Sequence, residues 1–283
     1  MIVVDGKALA KKLREEVRAE VQKINEGGGR VVFAGVLVGD NESSKIYVAN
    51  KKKACEEAGI EMRLFTLPSE TTQAEINALI EKLSADEVVC GILVQLPLPA
   101  HLNAREVISK IDPRKDVDGL TCENFGRLCE EKPVLAPCTA KGILHILKTV
   151  GVELAGANVC VIGRSLIVGK PTALLLQAKD ATVSVCHKKT KNLKTWTKTA
   201  DVIVVAAGCP NLLTADMVKK GVVVVDVGIN RLGDGKIVGD CDFERLSKKA
   251  SVITPVPGGV GPLTIAFLLD NILTAYKIIK GEK

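Results

Sequence analysis

The sequence predicts an α/β protein of two domains, each a mostly parallel sheet with flanking helices. Short apolar runs of strand length alternate with stretches of helical period along nearly the whole chain. One segment near the middle, residues 112–138, breaks that rhythm. At 283 residues the chain is long enough for two ordinary domains, and 47% apolar with 25% charged residues is globular composition. Aromatic residues make up only 3%, so the core must be built from Val, Ile, Leu and Ala.

The elements follow in order. In "ALAKKLREEVRAEVQKI", Leu9, Leu13, Val17, Val21 and Ile24 are spaced as on one face of a helix, which the glycines at 27–29 end. "VVFAGVLVG" reads as a buried strand. Asp40 or Ser43 can cap the next helix, which ends at Gly59. A strand "MRLFTLP", a helix from Thr72 to about Leu83 and a strand "VVCGILVQLPLP" follow. Residues 112–138 hold Pro, Gly and charge, and read as a functional loop with a short helix. "TAKGILHILKTVG" is a connecting helix. The alternation then resumes through "ANVCVIG", a helix from about Gly169, "ATVSVCH", a helical stretch, "DVIVVAAG", another helix and "GVVVVDVG". The expected domains are 1–140 and 141–262, with a last apolar helix, about 263–283, packing back onto the first.

Composition excludes several functions. The net charge of +6 is spread along the chain, and few aromatics are available to stack bases, so nucleic acid is not the expected partner. An anionic small molecule suits a modest positive excess better. The nine cysteines form no Cys-x-x-Cys and the three histidines lie far apart, which argues against a metal site and a disulfide framework. Reduced thiols imply a cytoplasmic protein, with Cys90, Cys160 and Cys186 buried as small hydrophobes. The N-terminus has no signal-peptide core, and no run was expected to reach the length of a membrane span.

"VCVIGRSLIVGKP" places Gly163 and Gly169 between an apolar strand and a helix, where backbone N–H groups can hold phosphate. It is not a P-loop: five residues separate Gly163 from Gly169, and Pro171 stands where a hydroxyl should bind magnesium. Nor is it a full dinucleotide fingerprint, because Ser165 replaces the middle glycine; by itself the turn fits a plain βα connection equally well. The next strand ends in "VCHKKTK" with no acid to hold a ribose 2′-hydroxyl, and its basic cluster suits the 2′-phosphate of NADP. Arg164 can add a bidentate contact. Each such charge-assisted bond contributes roughly 1.5–3 kcal/mol.

Tyr47 and Lys51 are four residues apart and share a helix face. A Tyr-x-x-x-Lys pair is known from short-chain dehydrogenases, but there it follows the glycine-rich turn in the same domain, whereas here it precedes Gly163 by more than a hundred residues. Taken singly, Lys51 reads as one of three solvated lysines, Gln95 as satisfying backbone at a strand end, and Asp118 as the cap of a turn at Gly119.

The chain nonetheless resembles another family. "YVANKKKACEEAGI", "GILVQLPLP", "DPRKDVDGL", "PCTAKGIL", "GRSLIVGKP", "DVGIN" and "TPVPGGVGPLT" follow, in order, the pattern of the bifunctional methylenetetrahydrofolate dehydrogenase/cyclohydrolases. The resemblance runs from about Asp5 to the final helix. It implies a substrate-facing first domain, a Rossmann-like NADP domain, an active-site cleft between them, and a homodimer. It implies that Lys51 is central to the cyclohydrolase step with Tyr47 and Gln95 beside it, and that Asp118 anchors the pterin ring. Gly163, Arg164, Ser165, Gly169, His187, Lys188 and Ile229 fall at cofactor positions, and Pro257, Gly258 and Gly259 in the loop near substrate and nicotinamide. Ala140 and Leu263 depart from the usual proline and methionine; both swaps are conservative and leave the chemistry untouched.

The chemistry agrees with those roles. Hydride transfer from 5,10-methylenetetrahydrofolate to NADP needs orientation more than a base, because N5 and N10 stabilise the product cation. Water attack on that methenyl cation, giving 10-formyltetrahydrofolate, needs a proton acceptor. Beside a bound cation a lysine's charged form is disfavoured, which brings its pKa toward a useful value. Asp118 can pair with the N–H groups of a pterin edge. A non-catalytic nucleotide-binding scaffold has no use for Tyr47, Lys51, Gln95 and Asp118 together.

Overall fold

The computed structural model describes residues 1–282, so the expected end of the last helix at residue 283 lies outside the described residues. In chain order the elements are β1 (Ile2–Val3), α1 (Gly6–Glu26), β2 (Val32–Val38), α2 (Glu42–Ala58), β3 (Glu61–Leu67), α3 (Gln73–Ala85), β4 (Val89–Val94), α4 (Ala104–Ser109), α5 (Cys122–Cys129) and α6 (Cys138–Thr149). They continue as β5 (Asn158–Ile162), α7 (Gly169–Gln177), β6 (Thr182–Cys186), α8 (Leu193–Thr199), β7 (Val202–Val205), β8 (Val223–Asp226), β9 (Asn230–Arg231), β10 (Ile237–Val238), α9 (Phe243–Leu246), β11 (Val252–Ile253) and α10 (Val260–Lys280).

Two compact units result. One comprises Lys11–Ala136 and Ile265–Lys283; the other comprises Met1–Ala10 and Pro137–Thr264. The expected first domain, 1–140, therefore differs at its start. β1 leaves that half and pairs in parallel with β11, Ile2 opposite Val252. A pairing across some 250 positions has no local signal, because two residues carry no readable period.

In the first unit β2 is the centre of a parallel sheet of order β3–β2–β4, and its seven residues are all buried. A strand buried on both faces reads as a continuous apolar run, which is why "VVFAGVLVG" has no alternation. Val32, Ala34, Val36 and Val38 face Ile76 and Ile80 of α3 and Ile92 and Val94 of β4 in one aliphatic core. Asn41, rather than Asp40 or Ser43, caps α2: its side chain accepts from the Ser44 N–H, and Gly59 closes the helix in the left-handed region. Thr72 and Glu75 form a reciprocal capping box on α3. α4 had not been expected; six residues are too few to show a helical period.

α10 is long and apolar enough, at a mean hydropathy of 1.4, to meet the length and composition of a membrane span, contrary to the reading of the sequence. Between Ala266 and Tyr276 most of its residues are core. Ile272 lies against Gly91 of β4, and the fully buried Asn271 donates to the carbonyls of Val117 and Ala136.

In the second unit six parallel strands run β6–β5–β7–β8–β11–β1. The chain steps from β5 outward to β6, then back across to β7, so the order reverses between β5 and β7. In doubly wound sheets that point, at the carboxyl ends of the strands, is where ligands bind. Between β7 and β8 there is only a 3₁₀ turn, Ala215–Met217, where a helix was expected. β9 and β10 form a small antiparallel hairpin.

Candidate active site

Tyr47 and Lys51 lie on α2, one turn apart as the spacing required. Lys51 is half-buried and its Nζ donates to Gln95 Oε1 at 3.0 Å. Gln95 immediately follows β4. Its own N–H donates to the Val36 carbonyl and its Nε2 to the Leu96 carbonyl at 2.7 Å, which fixes the amide with its oxygen toward Lys51. Tyr47 is 37% exposed, yet the protein around it still raises its phenol above the usual value by limiting solvation. Lys52 and Lys53 point outward, each within 4.0 Å of a glutamate one turn on, so the three lysines are not equivalent.

Asp118 is brought beside the same strand. A parallel bridge pairs Ile92 with Asp116, and the Ile92 N–H donates to the Lys115 carbonyl. The chain from Asp116 to Asp118 thus runs in the direction of β4 toward Gln95. Two charged residues hold this segment, and both escaped the reading of the sequence. Lys115, 4% exposed, donates to the carbonyls of Ser84 and Asp86, each at 2.7 Å, at the C-terminal end of α3. Asp116, 1% exposed, accepts from the Thr121 N–H at 2.7 Å and from Asn124 Nδ2 at 2.9 Å. A charge inside a motif flanked by apolar residues was the signal, since a buried charge must be satisfied.

In the other unit the predicted cofactor residues gather at the carboxyl edge of the sheet. Gly163 ends β5 at φ +126, and a Cβ there would collide with the Ala206 carbonyl oxygen after β7. A Cβ on Gly169 would in turn strike the Gly163 carbonyl, so the turn closes tightly under the first turn of α7. Ser165 Oγ accepts from the Val168 and Gly169 N–H groups at 3.2 and 3.4 Å. Arg164 and Ser165 are exposed above this turn. His187 and Lys188 follow β6, adjacent because the Gly163 N–H donates to the Cys186 carbonyl at 2.8 Å. His187 Nδ1 accepts from the Lys189 N–H at 3.2 Å. Ile229 follows β8 and is half-exposed. Pro257, Gly258 and Gly259, expected to lie near substrate, follow β11 and belong to this unit, and Asp118 to the other. Among the described residues no group of His, Cys, Asp and Glu is arranged to hold a metal.

Such a turn fits a dinucleotide phosphate: its glycines leave no side chain between ligand and backbone, and the helix N-terminus faces the switch point. Together, a nucleotide-type sheet in one unit and the Lys51–Gln95 pair in the other mark a two-unit nucleotide-dependent α/β enzyme.

Comparison with known proteins specifies which. Residues 4–118 match the catalytic domain of tetrahydrofolate dehydrogenase/cyclohydrolase, and residues 137–280 match its NAD(P)-binding domain. The bifunctional protein FolD of Campylobacter concisus is 52% identical over 275 residues, 97% of either chain. The crystal structure of the bifunctional enzyme FolD from Campylobacter jejuni superposes with a TM-score of 0.96 at 51% identity, covering 98% of this chain and 99% of that one. The Trypanosoma brucei methylenetetrahydrofolate dehydrogenase-cyclohydrolase, complexed with NADP cofactor and inhibitor, gives 0.94 at 37% identity, covering 98% and 97%. The chain belongs to the tetrahydrofolate dehydrogenase/cyclohydrolase family. It oxidises 5,10-methylenetetrahydrofolate to the methenyl compound with NADP and hydrolyses that product to 10-formyltetrahydrofolate.

Proposed function

We propose that Lys51, oriented by Gln95, manages the proton in the hydrolytic step, and that Asp118 and Tyr47 hold the folate. The observation that carries this reading is the 3.0 Å hydrogen bond from Lys51 Nζ to a glutamine oxygen whose direction is itself fixed. The glutamine oxygen fixes where the amine points, and a cationic substrate bound beside it disfavours the amine's charged form, which suits it to handle the proton. Tyr47, exposed at the same helix face, presents a ring for stacking on the planar substrate. Asp118 offers two oxygens to the pterin N–H groups.

Gly163, Ser165 and Gly169 accommodate the NADP phosphates, Arg164, His187 and Lys188 recognise the 2′-phosphate, and Ile229 packs on the cofactor. When bound, NADP accepts the hydride. Pro257, Gly258 and Gly259 approach substrate and nicotinamide. The substrate role falls to the unit of Lys11–Ala136 with the last helix, and the NADP role to the unit of Met1–Ala10 and Pro137–Thr264. The enzyme acts as a cytoplasmic homodimer in one-carbon folate interconversion and purine biosynthesis, with neither nucleic acid nor membrane as partner; the sparse aromatics support the former.

The cofactor reading is tested on Arg164→Ala. The ratio of kcat/KM for NADP over NAD should fall about tenfold or more, since one charge-assisted bond to the 2′-phosphate is lost. An unchanged ratio would remove Arg164 from the 2′-phosphate site.

A further inference from the structure

Two buried carboxylates in the nucleotide unit have no part in the roles above. Asp226 ends β8 and is 3% exposed; Asp240 follows β10 and is fully buried. Asp240 Oδ2 accepts from the N–H groups of Ala207 and Gly208 at 2.6 and 2.9 Å. Its Oδ1 accepts from the Cys209 N–H at 2.9 Å and from Asn230 Nδ2 at 2.8 Å. Asp226 Oδ1 accepts from the N–H groups of Gly228 and Asp240 at 2.9 and 3.0 Å, and its Oδ2 from Cys241 N–H at 2.9 Å. Gly228 lies so close that a Cβ there would collide with the Asp240 carboxylate.

These bonds converge on two turns. Residues 206–209 leave β7 at the switch point, where the Ala206 carbonyl meets Gly163. Residues 228–230 leave β8 and carry Ile229, with Gly228 held by Asp226 and Asn230 held by Asp240. Three successive backbone N–H groups form a nest for an anion, and a side chain of the protein fills it. Residues 207–209 are themselves exposed while Asp240 is fully buried, so the carboxylate ties an outer turn to the interior and thereby sets its path.

We propose that Asp240 is a positioning residue for the NADP site: by accepting from Ala207, Gly208, Cys209 and Asn230 it sets the turns after β7 and β8 between which the cofactor lies. This rests on the reading of Gly163–Gly169 and Ile229 as the cofactor site. It predicts a defect of cofactor binding rather than of turnover.

Asp240→Asn is a strict test. Each carboxylate oxygen receives two N–H donors, so an amide in either orientation turns its NH₂ on two of them. In the purified full-length enzyme, the NADP dissociation constant measured by calorimetry should rise about tenfold or more. The KM for NADP should rise in parallel, while kcat at saturating NADP stays within about threefold. Asn230→Ala, which removes one of the four donors and leaves the backbone nest intact, should raise the dissociation constant less, about two- to fivefold; it decides the matter if Asp240→Asn does not fold. NADP binding unchanged in folded Asp240→Asn would overturn the proposal, as would a fall in kcat with KM unmoved, the mark of a merely structural group. Failure of the unaltered enzyme to bind NADP would overturn the cofactor reading itself.

Discussion

Lys51→Ala is expected to lower cyclohydrolase turnover by about 10²–10⁴-fold, the usual contribution of a positioned proton-transfer group. The substitution removes the α2 nitrogen that Gln95 Oε1 holds toward the end of β4. It should cost little stability, because the side chain is half-buried and its loss leaves an amide oxygen that water can reach. The dehydrogenase step should suffer less, since hydride transfer relies on orientation and the product cation is stabilised by the substrate's own nitrogens. The check is the disappearance of added methenyltetrahydrofolate, corrected for uncatalysed hydrolysis, with NADP reduction followed separately. Turnover kept within a few-fold would take the proton-handling role away from Lys51.

Lys115→Met is expected to have the largest effect on stability. The ammonium is almost wholly buried, and that burial holds its pKa below the usual lysine value. Its two 2.7 Å bonds to the Ser84 and Asp86 carbonyls compensate for the lost solvation. Methionine fills the same space but donates nothing, so two carbonyls at the end of α3 lose their partner at about 1–3 kcal/mol each. Relief of the buried charge offsets part of this, leaving a net loss of about 3 kcal/mol, or a fall in Tm of about 6–12 °C. The bridge between Ile92 and Asp116 follows directly on Lys115, so the turn that carries Asp118 should loosen and the KM for folate rise. Urea denaturation against the unaltered protein measures the first effect. A loss below about 0.5 kcal/mol would show that Lys115 is not holding the turn.

The alternation of β and α was legible because each element is long enough to display its own period, 2 in strands and 3.6 in helices. β1, α4 and the β9–β10 hairpin are too short to do so, and β1 finds its partner only through a register set 250 residues away. The pairing of Tyr47 with Lys51 followed from spacing alone. That Gln95 fixes Lys51 needed the three-dimensional meeting of α2 with the end of β4. The motifs "KDVDGL" and "DVGIN" drew attention to Asp118 and Ile229, which are partly or largely exposed. Their buried neighbours Lys115, Asp116 and Asp226 carry those turns, and Asp240 reaches them from a third segment. Lys115, Asp226 and Asp240 are bonded mainly to backbone groups, and Asp116 to one backbone group and one side chain; backbone partners have no sequence identity and cannot be anticipated from residue types. An acid after four valines, as at Asp226, was the one available clue.

The central claim is that one chain carries both reactions. The most direct measurement supplies the protein with 5,10-methylenetetrahydrofolate and NADP, with NAD in a parallel reaction, and identifies the folate at the end. Formation of NADPH together with 10-formyltetrahydrofolate, faster than the uncatalysed hydrolysis and faster with NADP than with NAD, is the predicted result. NADPH accompanied by accumulating methenyltetrahydrofolate would contradict the second activity and the role given to Lys51, and reduction of neither cofactor would contradict the account as a whole.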